Sequence, residues 1–491
     1  MPRMTLLFLF CFFSTLLAQT YFPDPHLELK EPIKFSTMQS FLQHIDRTKG
    51  MTVTTEGQSA DGHPIYLVHV KAQKEPLWKV FFFAQQHGDE PAGKDAILYL
   101  LRDIEQGQWV LPDHVELWLV PMVNPDGAMA DKRRNGNDRD LNRDHILLSQ
   151  PETQTIHRLF RRIMPHVAVD CHEFGRDSQD YLDRGWLEWP HIMMDCANHP
   201  FFDSRILEMG KEWVERVSFY MNQSGHNYTR YTVGGVPPLQ EQRYSTTELN
   251  DGRNSLGAFG GLSFIIESGR LRNADPPNQD LGKRVDAYLA LLKTFLTWDA
   301  DWLKIANAIK ESRAAAPMEF LPTNCFWGSH GYRLTPVRVI SLQTNDTEIV
   351  MSPNFMHDLV VKYSVPTPAA YYIPAEFAAP FTGLFDRHGI KFERLTESRN
   401  VRVEPCQLLR VETEFDPVYQ RYDGRQITQY LPKEMHTFAK GSLYIPVKSL
   451  SGRRAALLLE PAMMYGVYQY EDFRKLIQED GVMPVYRLPV E

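Results

Sequence analysis

Apolar and polar positions along the chain fall into two regimes. Val80-Phe81-Phe82-Phe83-Ala84 is an apolar run with almost no alternation, and it predicts a strand over Val80 to Gln86 buried on both faces. Before it, a strand from Thr52 and a second over Ile65 to Val70 are separated by Asp61-Gly62 and Pro64, the signature of a hairpin. Ala96, Ile97, Leu100, Leu101 and Ile104 recur at helical spacing and predict a helix over Ala92 to Ile104. Val115 to Val123 reads as another buried strand, closed by Asn124-Pro125-Asp126-Gly127, a turn signal. Further helices are predicted over Thr37 to Ile45, Thr153 to Ile163 and Leu281 to Phe295. A strand over Val167 to Cys171 delivers His172, and one over Leu262 to Ile266 ends at Glu267. Residues 174–260 are polar and aromatic, with Gly234-Gly235 and Pro237-Pro238 inside. They read as a long, loop-rich and functional segment.

Strands alternating with helices predict an α/β layered domain. His87, His172 and Glu267 all fall at the carboxyl ends of predicted strands, where open α/β sheets place their ligands. The pattern changes near Arg313 to Thr323. Beyond it come short strands (Val337 to Leu342, Thr347 to Met351, Val401 to Val403, Leu408 to Glu414, Gly441 to Pro446) separated by Pro and Gly. The expected organisation is a catalytic-type domain over 20–318 and a smaller, mostly-β accessory domain over 319–491.

Composition adds exclusions. With 43% hydrophobic and 23% charged residues the chain has an ordinary globular make-up, and its 491 residues suggest two cores. A net charge of -8 with no basic run argues against a nucleic-acid partner. Arg3 followed by the mainly apolar stretch Leu6 to Leu17 and Ala18-Gln19 reads as a signal peptide over residues 1–19. The mature chain is therefore expected to be exported, periplasmic or extracellular, with no membrane span. Its four cysteines, Cys171, Cys196, Cys325 and Cys406, permit disulfides in three pairings, and sequence does not choose among them. Oligomeric state is not readable.

The candidate chemistry begins at the end of the first buried strand. His87 and Glu90, three residues apart, can point the same way and grip one zinc ion as two of its three protein ligands. His172, at the end of a strand that could neighbour the first, is the candidate third. Arg133-Arg134-Asn135 and Asp140-Leu141-Asn142-Arg143-Asp144 form a charge-rich stretch. It is either a solvated loop or a set of guanidinium and amide donors for a carboxylate and a developing oxyanion. Asp140 could orient a ligand histidine through its second ring nitrogen. Glu267 either caps its strand or lies in a partly dry cleft, where a raised pKa suits a general base.

Taken in order, these motifs resemble those of the zinc metallocarboxypeptidases of the carboxypeptidase A type. The run is His87-Gly88-Asp89-Glu90, Asn124-Pro125-Asp126-Gly127, Asp140-Leu141-Asn142-Arg143, then His172 and Glu267 at strand ends. Gly57 with Asp61-Gly62-His63-Pro64-Ile65 is similar to that family's early hairpin. The resemblance covers roughly residues 35–300. It implies a mixed-sheet, three-layer α/β/α zinc-carboxypeptidase-like domain, with one Zn2+ on His87, Glu90 and His172. Glu267 is then the general base that activates the attacking water and protonates the leaving amine. Arg133, with Arg134 as rival, stabilises the oxyanion. Asn142 and Arg143 hold the substrate's terminal carboxylate, and Asp140 supports a ligand histidine. Tyr244, with Tyr231 as rival, lies over the substrate. Asp144 departs from the family pattern and would repel a substrate carboxylate unless it turns away. Asp251 or Arg253 would set side-chain preference.

The reading that follows is an exported zinc metallocarboxypeptidase acting on a peptide or N-acyl amino acid with a free carboxylate. The alternatives are a zinc-dependent deacylase or cell-wall peptide amidase on the same site, or a non-catalytic binding protein.

Overall fold

A computed structural model describes residues 21–274, 277–297 and 302–490. The signal-peptide reading of residues 1–19 lies outside them.

The centre is an eight-stranded mixed sheet. Its strands in chain order are β1 (Met51–Gln58), β2 (Pro64–Val70), β3 (Trp78–Ala84), β4 (Val115–Val120), β5 (Val167–Gly175), β6 (Ile192–Cys196), β7 (Tyr228–Arg230) and β8 (Leu262–Arg270). Their spatial order is β1-β2-β4-β3-β5-β8-β6-β7. The middle four, β4-β3-β5-β8, run parallel, and antiparallel pairings flank them. The unbroken apolar run of β3 has its cause here. Val80, Phe82 and Ala84 join one core and Phe81 and Phe83 the other, so neither face meets water.

The helices are α1 (Phe35–Ile45), α2 (Ala92–Glu105), α3 (Pro125–Ala130), α4 (Pro151–Ile163), α5 (Ser204–Gln223), α6 (Gly252–Gly257), α7 (Leu281–Thr297) and α8 (Trp302–Ala314). The apolar residues of α1, α2, α5, α7 and α8 share a core with one sheet face. Those of α4 and α6 share a core with the other. The expected three-layer α/β/α architecture is therefore present.

Several local expectations change. Asn124-Pro125-Asp126-Gly127 is not an isolated turn but the start of α3, whose Asn124 cap accepts from the Gly127 N–H at 2.9 Å. β5 and β8 run on past His172 and Glu267, so both residues lie inside strands. The polar character of residues 174–260 conceals a 20-residue helix, α5, and the strands β6 and β7. The apolar stripe of α5 (Ile206, Trp213, Val214, Val217, Met221) is legible at helical spacing, but charged residues dilute it.

The permitted disulfides do not form: the four cysteines are free and buried. Cys171 on β5 and Cys196 on β6 are separated by the whole of β8, roughly 10 Å across two strand spacings, beyond disulfide reach.

The region beyond residue 319 is strand-rich, and every strand expected there forms within slightly shifted limits. Two of its strands, β9 (Cys406–Asp416) and β10 (Arg421–Tyr430), make a long hairpin. It also carries helices at Ala378–His388 and Leu450–Leu459, whose apolar residues dominate its core. That core includes Ile146, Ala197, Phe201, Phe202, Leu249 and Ala258 from the first part of the chain. Strand pairing crosses over as well, between Trp186–Glu188 and Thr335–Ser341 and between Gln242–Tyr244 and Phe355–Met356. Among the described residues no helix is long and apolar enough to cross a membrane.

Candidate metal centre and active site

β3 ends because Gln85 takes a left-handed conformation (φ 58°). The chain then turns through His87-Gly88-Asp89-Glu90 into α2, with the Glu90 N–H on the His87 carbonyl at 3.2 Å. Gly88 is required there, since a Cβ would come within 2.0 Å of the Gly127 carbonyl carbon at the start of α3. Asn124 locks this arrangement. Its amide donates to the Gln86 carbonyl (3.0 Å) and to the Arg133 carbonyl (3.4 Å), while its oxygen caps α3. Asp126 accepts from Ser59 Oγ, the Asp61 N–H and the Gly136 N–H, which ties the early hairpin to the same framework.

His87, Glu90 and His172 converge, with one potential ligand atom from each lying within 4.8 Å of the others. His87 Nδ1 is 2.9 Å from Glu90 Oε1, His172 Nδ1 is 3.0 Å from Glu90 Oε2, and the two Nδ1 atoms are 3.1 Å apart. All three residues are buried. Each ring turns its other nitrogen to a carboxylate: His87 Nε2 lies 3.1 Å from Asp140 Oδ1, and His172 Nε2 lies 3.0 Å from Asp170 Oδ1. A carboxylate behind each imidazole fixes the ring and raises its basicity as a ligand. Burial opposes charge at both Glu90 and His172, but the cluster overrides it. His87 and His172 hold Glu90 well below the usual carboxylate range, and Asp170 and Glu90 hold His172 well above the usual imidazole range. The site therefore draws positive charge to the point where its ligand atoms meet. Two imidazoles and a carboxylate with open space beside them suit a catalytic zinc.

Asp170 was not among the expected site residues. It lies two positions before His172 on β5 and so projects to the same face, an Asp-x-His spacing visible in the sequence. It continues inward: Gln86 Nε2 donates to Asp170 Oδ2 (2.8 Å), His145 Nε2 meets Gln86 Oε1 (3.0 Å), and His145 Nδ1 meets His157 Nε2 (3.0 Å).

Glu267 pairs in register with His172 across β8 and β5. Tyr288 of α7 clamps the two strands from below, donating to the His172 carbonyl and to that of Ile266 (3.2 Å). Burial pushes the Glu267 carboxyl up to about 7, against the pull of His172 and with the push of Glu90.

Glu267 opens into a cavity of about 470 Å³, lined also by His87, Glu90, Arg133, Asn142 and Arg143. Arg133 donates through Nε to Asp140 Oδ2 (3.0 Å), and its Nη1 lies 3.5 Å from Glu90 Oε1, beside the metal ligands. Its rival Arg134 turns outward to Asp138 and to the carbonyls of Pro417 and Val418. The Asn142 amide oxygen accepts from the Gly252 N–H (2.9 Å), which directs its donors toward the cavity. Arg143 donates to the Asn142 carbonyl at 2.7 Å.

Tyr244 is not part of this cavity. Its ring stacks on Arg230, 3.8 Å from the guanidinium, and packs against Trp327 and Phe355. Tyr231 lines the cavity with Glu267 instead, because β7 ends at Arg230 and leaves Tyr231 at the strand's mouth. Asp144 turns away, accepting from the N–H groups of Ser149 and Gln150 and from the hydroxyls of Ser149 and Thr153. Asp251 and Arg253 both reach the cavity but neutralise one another at 2.8 Å, and Asp251 caps α6.

The mixed α/β sheet thus carries a His-Glu-His cluster and a buried glutamate toward the carboxyl ends of its parallel strands. The family model of the zinc carboxypeptidases matches residues 38–158. Carboxypeptidase 2 of Trichophyton tonsurans is 26% identical over 285 residues, 55% of this chain and 52% of that protein. Carboxypeptidase SOL1 of Arabidopsis thaliana is 31% identical over 231 residues, 40% of this chain and 45% of that protein. The chain thus spans about half the length of the curated relatives it matches. Among solved structures, a metallo-carboxypeptidase from Pseudomonas aeruginosa in complex with (2-guanidinoethylmercapto)succinic acid superposes with a TM-score of 0.41 and 21% identity, covering 54% of this chain and 70% of that one.

Proposed function

We propose that the protein is an exported zinc-dependent carboxypeptidase that removes residues from the carboxyl end of peptides. The observation that carries the reading is the placement of Glu267. It stands in register with His172, beside the three ligand atoms, in the cavity that also holds Asn142 and Arg143. His87, Glu90 and His172 would hold one zinc ion per chain, which when bound supplies a Lewis acid that polarises a carbonyl and acidifies water.

The chain's own residues account for the rest. Glu267 takes a proton from the attacking water and delivers it to the leaving amine. Its burial favours this exchange, because a carboxyl near pH 7 can both accept and return a proton. Arg133, aligned by Asp140, presents its guanidinium to the developing oxyanion. Tyr231 shares the cavity wall with Glu267. Asn142 and Arg143 receive the substrate's free carboxylate, and the inward turn of Asp144 keeps an opposing charge out of their way. The basic residue and apolar stretch at Arg3 and Leu6 to Leu17 support export.

The test is digestion of a mixed peptide library by the purified chain, read by mass spectrometry beside Glu267→Gln. Loss of single carboxyl-terminal residues with the parent alone is the expected result. Cleavage of amidated and free-ended peptides at equal rates would contradict the carboxylate assignment.

A further inference from the structure

The region beyond residue 319 reaches the cavity through the tip of the β9–β10 hairpin. Tyr419, Arg421 and Asp423 line the cavity there, together with Tyr465. The tip is fastened from both sides. The Asp416 carboxylate accepts from the N–H groups of Val418 (2.7 Å) and Tyr419 (3.1 Å), which shapes the turn. Arg134 donates to the Val418 carbonyl (3.1 Å), Arg139 donates to the Gln420 side chain (2.8 Å), and Gln420 donates to the Asp138 carbonyl (3.2 Å). Arg134, Asp138 and Arg139 of the charge-rich stretch 133–144 therefore hold this hairpin.

Two contacts bear on the carboxylate site. The Arg143 guanidinium lies 4.7 Å from the centroid of the Tyr419 ring. Arg421, almost wholly buried, pairs with Glu248, another wall residue of the same cavity. A free Glu248 carboxylate would compete for Arg143, and Arg421 takes up that charge.

We propose that the hairpin tip is part of the substrate site, with Tyr419 as the residue that positions Arg143 for the terminal carboxylate. This rests on the reading of Arg143 given above. The aromatic face restrains the guanidinium without neutralising it, unlike a carboxylate partner. Arg143 thus stays fully charged and held in one orientation, ready for an anionic ligand.

The experiment uses the full-length, zinc-loaded chain with Tyr419→Phe, Tyr419→Leu and Arg139→Ala. Hydrolysis of free-ended peptides is followed as kcat and KM, and binding of free amino-acid products is measured by calorimetry. Loss of the ring is expected to raise KM roughly tenfold with a much smaller change in kcat, since it removes binding common to ground and transition states. Product affinity should weaken by the same factor, and Tyr419→Phe, which keeps the ring, should stay near the parent. Arg139→Ala, an exposed change that loosens the tip, should raise KM in the same direction and covers the case in which Tyr419→Leu does not fold. An active parent whose Tyr419→Leu and Arg139→Ala variants keep its KM and product affinity would overturn this inference alone. A parent that neither cleaves peptides nor binds amino acids would overturn the functional reading, and this inference with it.

Discussion

Glu267 and His172 are register partners on adjacent parallel strands, so the candidate base and a metal ligand are set by one backbone ladder. Their separation is fixed by strand spacing rather than by loop conformation. Glu267→Gln keeps the shape and the hydrogen bonding of the site while removing its proton acceptor. The expected outcome is a loss of kcat of about 10² to 10⁴, with zinc content unchanged by elemental analysis. Equal activity in the parent and the variant would remove Glu267 from the chemistry.

The carboxylates behind the two imidazoles should govern metal affinity. Asp140→Asn and Asp170→Asn are each expected to weaken zinc binding by about 10- to 100-fold, read by competition with a chromophoric chelator. Asp140→Asn should also slow turnover of fully loaded enzyme, because Asp140 aligns Arg133 as well as His87. Asp170→Asn, which does not touch Arg133, should leave that turnover closer to the parent's.

Gly88→Ala tests the fit between the metal-binding turn and α3. The added methyl meets the backbone of Gly127 and Ala128, neither of which can swing aside. A destabilisation of about 2 kcal/mol or more is expected from overpacking, measured by urea unfolding, together with reduced zinc content. An unchanged unfolding midpoint would show that the turn tolerates displacement.

Acid should destabilise the protein through its buried histidines. Burial holds His145 down to about 4, His388 down to about 3 and His157 well below the usual imidazole value of 6.5. Their folded pKa values lie below the unfolded one, so the unfolded chain binds more protons below pH 6.5. Their contribution is complete above that value and is lost as pH falls through 6.5 toward 4. The slope from the three together is up to about 4 kcal/mol per pH unit. His388→Gln keeps a donor for the Ile146 carbonyl and should reduce this slope by about one third in urea titrations between pH 6.5 and 4.5. An identical slope in the variant would show that His388 already titrates freely in the folded chain.

The central sheet was legible because β3, β5 and β8 carry mainly apolar runs, interrupted by Asp170 in β5 and Ser263 in β8, and a run of that kind has few uses other than a strand covered on both sides. Three candidate site residues were legible for a related reason, since His87, His172 and Glu267 stand close to where those runs give out. What escaped notice depends on partners distant in sequence. Tyr231 and Tyr244 have similar surroundings in the chain, and only the pairing of Gln242–Tyr244 with Thr232–Gly234 and Phe355–Met356 turns one of them away from the base. The same holds for Arg133 and Arg134, neighbours that diverge because the hairpin tip claims the second. α5 was obscured by its own solvent face, where Arg205, Glu208, Lys211, Glu212 and Glu215 interrupt the apolar stripe.

The apolar cluster that spans residue 319 has a practical consequence for anyone seeking a smaller, more tractable protein. A chain ending near 318 would leave Phe201, Phe202, Leu249 and Ile146 without the side chains that now cover them. A contiguous oily patch of that kind drives self-association. Such a fragment is expected to precipitate or to be retained by chaperones, and surface redesign of those positions would have to come before any truncation.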